Sequence, residues 1–415
     1  MPQTRTRRIA AWTAAAAMVL GMAACTPDAS HRVELPAQVE GALPDDMQEQ
    51  LRTATETAMA GTGSTGAVVG VWAPWAGSWV TGLGTTTADG AEVSTDMRFL
   101  AGSITKSMTC DVLYALVEEG TVALGDDVTT WLPGMPTLKG ITLGQLCDST
   151  SGLASYAGKL QTRWIANPER VWNPRELAAY GMASGLSFEP GSEYGNSDTG
   201  YVVLGLALES ASNRSAAQLF ETYIFEPLGM DASSLPSTSP TDGRLNGLRS
   251  GNVDGELSCA DTVDLTTFSP SAGYTAGGVV SDVNDIGRYV QALALGLRSY
   301  DSDARFEDAV SASRSGSTWY QSKGGALLAG SLAGQFGRVP GYLTSAFADR
   351  ETGLTVVVVL NNSRASAVAA RALSWQLAAI ASKAPAVGDL SAPSAGYPWT
   401  EADMAESVAD EAICE

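Results

Sequence analysis

The chain has 415 residues with 25 Lys and Arg against 45 Asp and Glu, a formal charge of −20. Its single histidine, His31, lies close to the N-terminus, so the body of the chain can build neither a Ser-His-Asp triad nor a histidine-ligated zinc site. The acidic balance argues against nucleic acid, which needs clustered cations, and 45% hydrophobic with 17% charged residues is a globular composition.

Residues 1–24 read as an export signal. Arg5, Arg7 and Arg8 form a basic start, and Ile9 to Ala24 is small and apolar but too short for a comfortable membrane span. The stretch then ends in Leu20-Gly-Met-Ala-Ala-Cys25, the pattern of a bacterial lipobox. Cleavage before Cys25 and acylation of its thiol predict a protein held by lipid on the extracytoplasmic face of the cell membrane. The alternative is an ordinary secretory signal followed by a chance Cys. The mature charge would be 22 − 45 = −23. Residues 25–44 are polar and contain Pro, and are expected to form a tether.

Asp45 and Asp46 offer a helix start, followed by Met47, Leu51, Ala54 and Ala58 at helical spacing. Ala67–Trp72 and Ser78–Gly82 suit two strands around Pro74-Trp-Ala-Gly77, with Trp72, Trp75 and Trp79 as packing residues. A helix should begin near Ser103, carry Cys110, Leu113, Tyr114 and Val117 on one face, and stop at Gly120. Helix and loop patterns dominate to about residue 270. Gly341–Asp349 and Leu354–Asn361 then read as antiparallel strands, and Val368, Leu373, Leu377 and Ile380 as a closing helix. Residues 384–415 hold seven acids and no Lys or Arg, and read as a mostly disordered tail.

This order fits an α/β (α+β sandwich) fold: one antiparallel sheet assembled from both chain ends, flanked by helices, with an inserted all-helical lobe. The sheet lobe would comprise 45–100 and 275–383 and the helical lobe 101–274, with a site between them. Cys110, Cys147, Cys259 and Cys414 suit two disulfides in an exported chain. Of three pairings, Cys110–Cys147 with Cys259–Cys414 is preferred; four buried thiols are the alternative.

The sharpest chemical signal is Phe99-Leu-Ala-Gly-Ser103-Ile-Thr-Lys106. Ser and Lys three apart on a helix share a face, so the Lys can steady an alkoxide or take the hydroxyl proton, which answers the missing histidine. The surroundings carry further signals: Leu116-Val-Glu-Glu-Gly120, Leu124-Gly-Asp-Asp-Val128, Trp131-Leu-Pro-Gly134, Ile141-Thr-Leu-Gly-Gln-Leu146, Thr150-Ser-Gly-Leu153, Phe188-Glu-Pro-Gly191, Thr199-Gly-Tyr201, Pro227-Leu-Gly-Met230, Ala276-Gly-Gly-Val-Val-Ser281 and Gly341-Tyr342. In order and spacing, from about Asp45 to Lys383, the chain resembles the serine DD-peptidase and class C β-lactamase family of penicillin-binding-protein-like hydrolases. The resemblance implies an α/β lobe plus a helical lobe with Ser103 at their junction. It also implies acyl-enzyme chemistry on D-alanyl-D-alanine peptides, β-lactams or esters, without cofactor or metal.

The family's second motif is usually Tyr-x-Asn, whose tyrosine relays protons and whose asparagine holds the substrate amide. Tyr194-Gly-Asn196 fits that string, but counting from Pro190-Gly191 and back from Thr199 gives Asn196-Ser-Asp198. The flanks favour the second register, which makes Tyr194 a neighbouring packing residue. The third motif, normally Lys-Thr-Gly or a histidine equivalent, falls on Gln335-Phe-Gly337; Lys323-Gly-Gly325 is a substitute with longer spacing to Gly341. Gly337 permits close backbone approach, and the N–H groups of Ser103 and Arg338 would form the oxyanion hole. Arg338 could also receive a substrate carboxylate. The resemblance places histidines where this chain has Ser149 and Gln335.

The sequence thus predicts a membrane-anchored serine hydrolase, D-alanyl-D-alanine carboxypeptidase-like, with a peptidoglycan stem peptide or small acyl compound as partner and no nucleic acid. Its alternative is an impaired relative that binds wall peptides or a protein.

Overall fold

In the computed structural model the described residues are Met1, 32–240, 242–313, 317–393 and 396–414. The export signal, Cys25 and His31 lie outside them.

The long apolar run Thr355–Leu360 forms strand β8, buried on both faces. Val356, Val358 and Leu360 point into one core layer with Leu373, Trp375 and Leu377, while Val357 and Val359 point into the other with Ile286, Tyr289 and Leu293. A strand covered on both sides needs no polar alternation, which is why the sequence reads as one valine block. β8 sits between β1 (Gly66–Ala73), with Val69 opposite Val358, and β7 (Tyr342–Asp349), with Ser345 opposite Val358. The remaining strands are β2 (Gly77–Gly84), β3 (Val310–Ser311), β4 (Tyr320–Lys323), β5 (Ala326–Ala329) and β6 (Leu332–Val339). The sheet runs β2-β1-β8-β7-β6-β5-β4-β3, antiparallel throughout. It is assembled from both ends of the chain, as its pattern predicts. β4 and β5 had no separate sequence signal, because tight Gly-containing turns at Gly324-Gly325 and Gly330 keep them to four residues each.

Helices α1 (Asp45–Thr62) and α7 (Ala367–Ala381) cover one face, with α8 (Glu401–Asp410) packed on both of them; α6 (Val283–Leu295) packs on the other. α2 (Ile104–Glu118) runs through the junction with the helical segment, which includes α3 (Leu143–Cys147), α4 (Ala157–Ala166) and α5 (Asp198–Ser212). That segment is not wholly helical: Leu248–Val253 and Glu256–Asp264 pair as a hairpin. Both disulfides form in the preferred pairing, Cys110–Cys147 and Cys259–Cys414.

Two chain segments are better ordered than their composition suggests. In the expected tether, Val33, Val39 and Leu43 donate backbone hydrogen bonds to Pro227, Pro74 and Ser78. In the acidic tail, Trp399 stacks on Trp375 with centroids 4.7 Å apart and on Tyr397 at 5.1 Å. Thr400 and Asp403 form a capping box on α8, Glu401 pairs with Lys383, and Cys414 is pinned to Cys259. The charge count missed this because Glu401 and Asp403 lie in the first turn of a helix, where the dipole favours them, and Trp399 is buried against Trp375.

Candidate active site

Ser103 is the N-cap of α2, yet its hydroxyl makes no capping hydrogen bond. Serine at this position ordinarily spends its oxygen on the helix's first N–H groups; here the oxygen is left to the cleft. Gly102, at φ 58°, turns the chain into the helix. The preceding residue, Ala101, is fastened by hydrogen bonds from Thr344 Oγ1 to its carbonyl and from its N–H to Val279.

One turn on, the Lys106 side chain is 1% exposed. Its Nζ donates to Asn196 Oδ1 at 2.6 Å and forms an ion pair with Asp198 Oδ1 at 2.8 Å, above the Tyr201 ring. Asp198 opens α5, where Ser197 caps the helix through Gly200 N–H. Its other oxygen accepts from Ser155 Oγ at 2.8 Å. Burial pushes the Asp198 carboxyl up, but the Lys106 charge and the hydrogen bonds from Lys106 and Ser155 outweigh it and hold the carboxyl below its ordinary value. Asp198 is therefore an anion at neutral pH.

Asn196 and Asp198 are thus the pair that meets Lys106. Tyr194 packs against the second core layer, and burial raises its phenol well above the usual range. Gln335 turns from the cleft, donating to the Gly325 carbonyl, which Ser107 Oγ also reaches. Lys323 is committed to Asp148 at 2.9 Å, so it does not supply a free cation to the cleft. Ser149, where the family pattern has histidine, shares a hydrogen bond with Tyr201.

Strand β6 faces Ser103 along a free edge. β5 pairs with it only through Leu332–Gly334, while β7 pairs along its whole length. The rest of the β5-side edge is left to the start of α2. At Gly337 the approach is so close that a Cβ would lie 2.5 Å from Ser103 Oγ and 2.9 Å from its nitrogen. Only glycine fits there without moving the nucleophile.

The cleft is small, with about 40 Å³ of free space, and Ser103, Asp198 and Arg338 line it. Its wall is an aromatic group, Tyr156, Trp164 and Phe268, packed edge to face. A second space opens past Ala157, Trp164 and Pro340, lined by Arg249, Arg338 and Ser363. Burial, then the guanidinium charges of Arg364 and Arg338, pull Arg249 below its ordinary value. Ser155, the aromatic wall and Arg249 had not been singled out in the sequence. Ser155 was findable just beyond Thr150-Ser-Gly-Leu153; Arg249 had no local signal, since folding alone brings the hairpin to the cleft. Among the described residues no cluster of three or more His, Cys, Asp or Glu could hold a metal ion.

Comparison with known proteins gives the context. The beta-lactamase family model matches residues 51–379. Penicillin-binding protein 4* of Bacillus subtilis is 31% identical over 209 residues, covering 48% of this chain and 46% of that protein. The D-alanyl-D-alanine-carboxypeptidase/endopeptidase AmpH of Escherichia coli is 33% identical over 197 residues, covering 46% and 47%. The matched stretch thus spans about half the length of these curated relatives. A D-stereospecific amidohydrolase structure from Streptomyces sp. superposes with TM-score 0.67 at 25% identity, covering 77% of this chain and 95% of that one.

Proposed function

The chain belongs to the β-lactamase family, and from that premise we propose that it is a serine hydrolase that forms an acyl-enzyme at Ser103 on D-alanyl peptides, amides or related esters. The observation that carries this reading is an uncapped Ser103 hydroxyl one helical turn from a buried ammonium that is itself paired with a carboxylate.

In the proposed cycle Ser103 Oγ attacks the substrate carbonyl and an Oγ–C bond forms. The Lys106 charge favours the developing alkoxide. As Lys106 takes the hydroxyl proton it passes one of its own to Asp198 Oδ1, 2.8 Å away. The ion pair thus becomes an ammonium beside a neutral acid, and no net charge is created or lost. Backbone N–H groups of Ser103 and Arg338 receive the oxyanion. The carbonyl–nitrogen bond then breaks, the stored proton goes to the leaving amine, and the acyl group remains on Ser103. Water, giving a proton to the restored Asp198 carboxylate, hydrolyses the ester by the same steps.

The export signal and lipobox support placing this activity on the extracytoplasmic face, tethered through Cys25, where peptidoglycan stem peptides are available. Among the described residues no helix is long and apolar enough to cross a membrane.

The test is labelling. Incubation with a fluorescent penicillin should add one acyl mass, absent in Ser103→Ala, and a p-nitrophenyl ester should be turned over by the unaltered protein only. No adduct and no Ser103-dependent ester turnover would overturn the reading.

A further inference from the structure

We infer that the cleft is built for a short zwitterion: a compound with a free ammonium next to the scissile carbonyl, received by Asp198, and a free carboxylate beyond it, received by Arg249 and Arg338. This rests on the hydrolase reading above and names the substrate class for the same site.

The first observation is the chemistry of Asp198. An asparagine in this place can donate to the carbonyl of an N-acylated substrate. A carboxylate only accepts, so a carbonyl aimed at it meets repulsion. Asp198 has four acceptor positions, of which Lys106 takes one on Oδ1 and Ser155 one on Oδ2. Its side chain is still 25% exposed, and it lines the space that holds Ser103. A ligand placed there must bring a donor, and a primary ammonium matches the charge as well as the hydrogen bond.

The second observation is independent and sits at the other end. Arg249 and Arg338 line one space, and burial, then the charges of Arg364 and Arg338, hold Arg249 below its ordinary value. Among the described ion pairs none joins any of the three to a carboxylate. Two guanidiniums facing one small space make it a place where an anionic group is favoured. Arg249 and Arg338 both line the space that opens off the Ser103 cleft. The hairpin bearing Arg249 is held in place, since Cys259 on its second strand is bonded to Cys414 and Arg249 donates to the Ser363 carbonyl.

Between the two charged ends lie Trp164, Ala157 and Pro340, which line both spaces. The wall is apolar, the ends are opposite in sign, and the space is small. An unmodified dipeptide matches both charged ends at once.

The experiment uses four probes on the full mature chain: D-alanyl-D-alanine, its N-acetyl form, its C-terminal amide, and neutral p-nitrophenyl butyrate. The free dipeptide should exceed each blocked form by about tenfold or more in kcat/KM, the discrimination expected from one lost charge-assisted contact. In Arg249→Gln the ratio of free acid to amide should fall toward one while the ratio of free amine to N-acetyl is kept. Calorimetry with Ser103→Ala should show the same ranking in binding, independent of turnover. Equal use or equal binding of blocked and free dipeptides, with the ester still turned over through Ser103, overturns the zwitterion and leaves the hydrolase standing. Loss of ester turnover and penicillin adduct together would instead overturn the hydrolase reading.

Discussion

Lys106 and Asp198 sit in the first turns of two different helices, and their charged ends lie 2.8 Å apart. The pair joins the helix capped by the nucleophile to the helix that Asp198 opens. It also decides what the site can do, because an ammonium tied to a carboxylate has somewhere to send a proton.

Asp198→Asn should lower stability by about 2 kcal/mol. A buried charge stripped of its partner costs about 3–5 kcal/mol; here Asn196 remains as an acceptor and the Asp198 side is partly solvated. The acylation rate should fall by about 10²–10⁴, the usual worth of a positioned proton acceptor. Adding Lys106→Met to this variant should recover stability in a denaturant melt and recover no acylation. A double variant that regains activity would sink the relay.

Gly337→Ala should lower stability by about 1–3 kcal/mol through overpacking against the start of α2, and should abolish labelling. The added methyl would lie 2.5 Å from Ser103 Oγ. It also crowds the oxyanion position, where loss of a single donor costs about 10²–10³. Intact mass after incubation with penicillin reads the outcome, and a variant labelled at the original rate contradicts the placement.

Two carboxyls set opposite pH responses. Asp198 is held below its unfolded value of 3.8, so its stabilisation is complete above that value and is lost as pH falls through the lower folded one. It therefore imposes no acid limb on kcat/KM between about pH 5 and 8. Asp285 is raised to about 6, chiefly by burial and against the hydrogen bonds from Ser233 and Ala232. Its folded form binds the proton more tightly, so stability is full below 3.8 and declines as pH rises through 6. Asp285→Asn should raise Tm above pH 6 and give no gain near pH 4. A gain of the same size at both pH values would contradict this.

The Cys259–Cys414 bond closes a span of 155 residues. Its removal by paired Cys→Ser substitutions should cost about 2–4 kcal/mol. Trp399→Ala should cost about 3–5 kcal/mol, because the ring is buried between Trp375 and Tyr397. Urea melts measure both, and a neutral result for Trp399→Ala would show that the tail's stacking contributes little.

Much of this was legible in the chain. The Thr355–Leu360 run, the 3.6-residue face of α2 and the Ser103/Lys106 spacing are local patterns, and each maps onto one element. The second motif was harder. Tyr194-Gly-Asn196 has the residue types, but the α5 start at Asp198, capped by Ser197, fixes which side chains reach Lys106. The rest needed tertiary structure. Arg249 reaches the space beside the Ser103 cleft only because a hairpin folds there. The acidic tail looked disordered because composition averages over residues, while Trp399 and Cys414 act one at a time.

The order of strands in the sheet has a consequence in time. β1 is made early, yet its inner neighbour is β8, near the far end of the chain. β6, whose Gly337 abuts Ser103, also comes late. A growing or threading chain therefore carries its nucleophile for more than half its length with no strand beside it and no oxyanion donors opposite. Pairing across such a distance closes last and slowly. The architecture thus works as a delay: the hydroxyl is present early, and its reactivity arrives only when the sheet is shut.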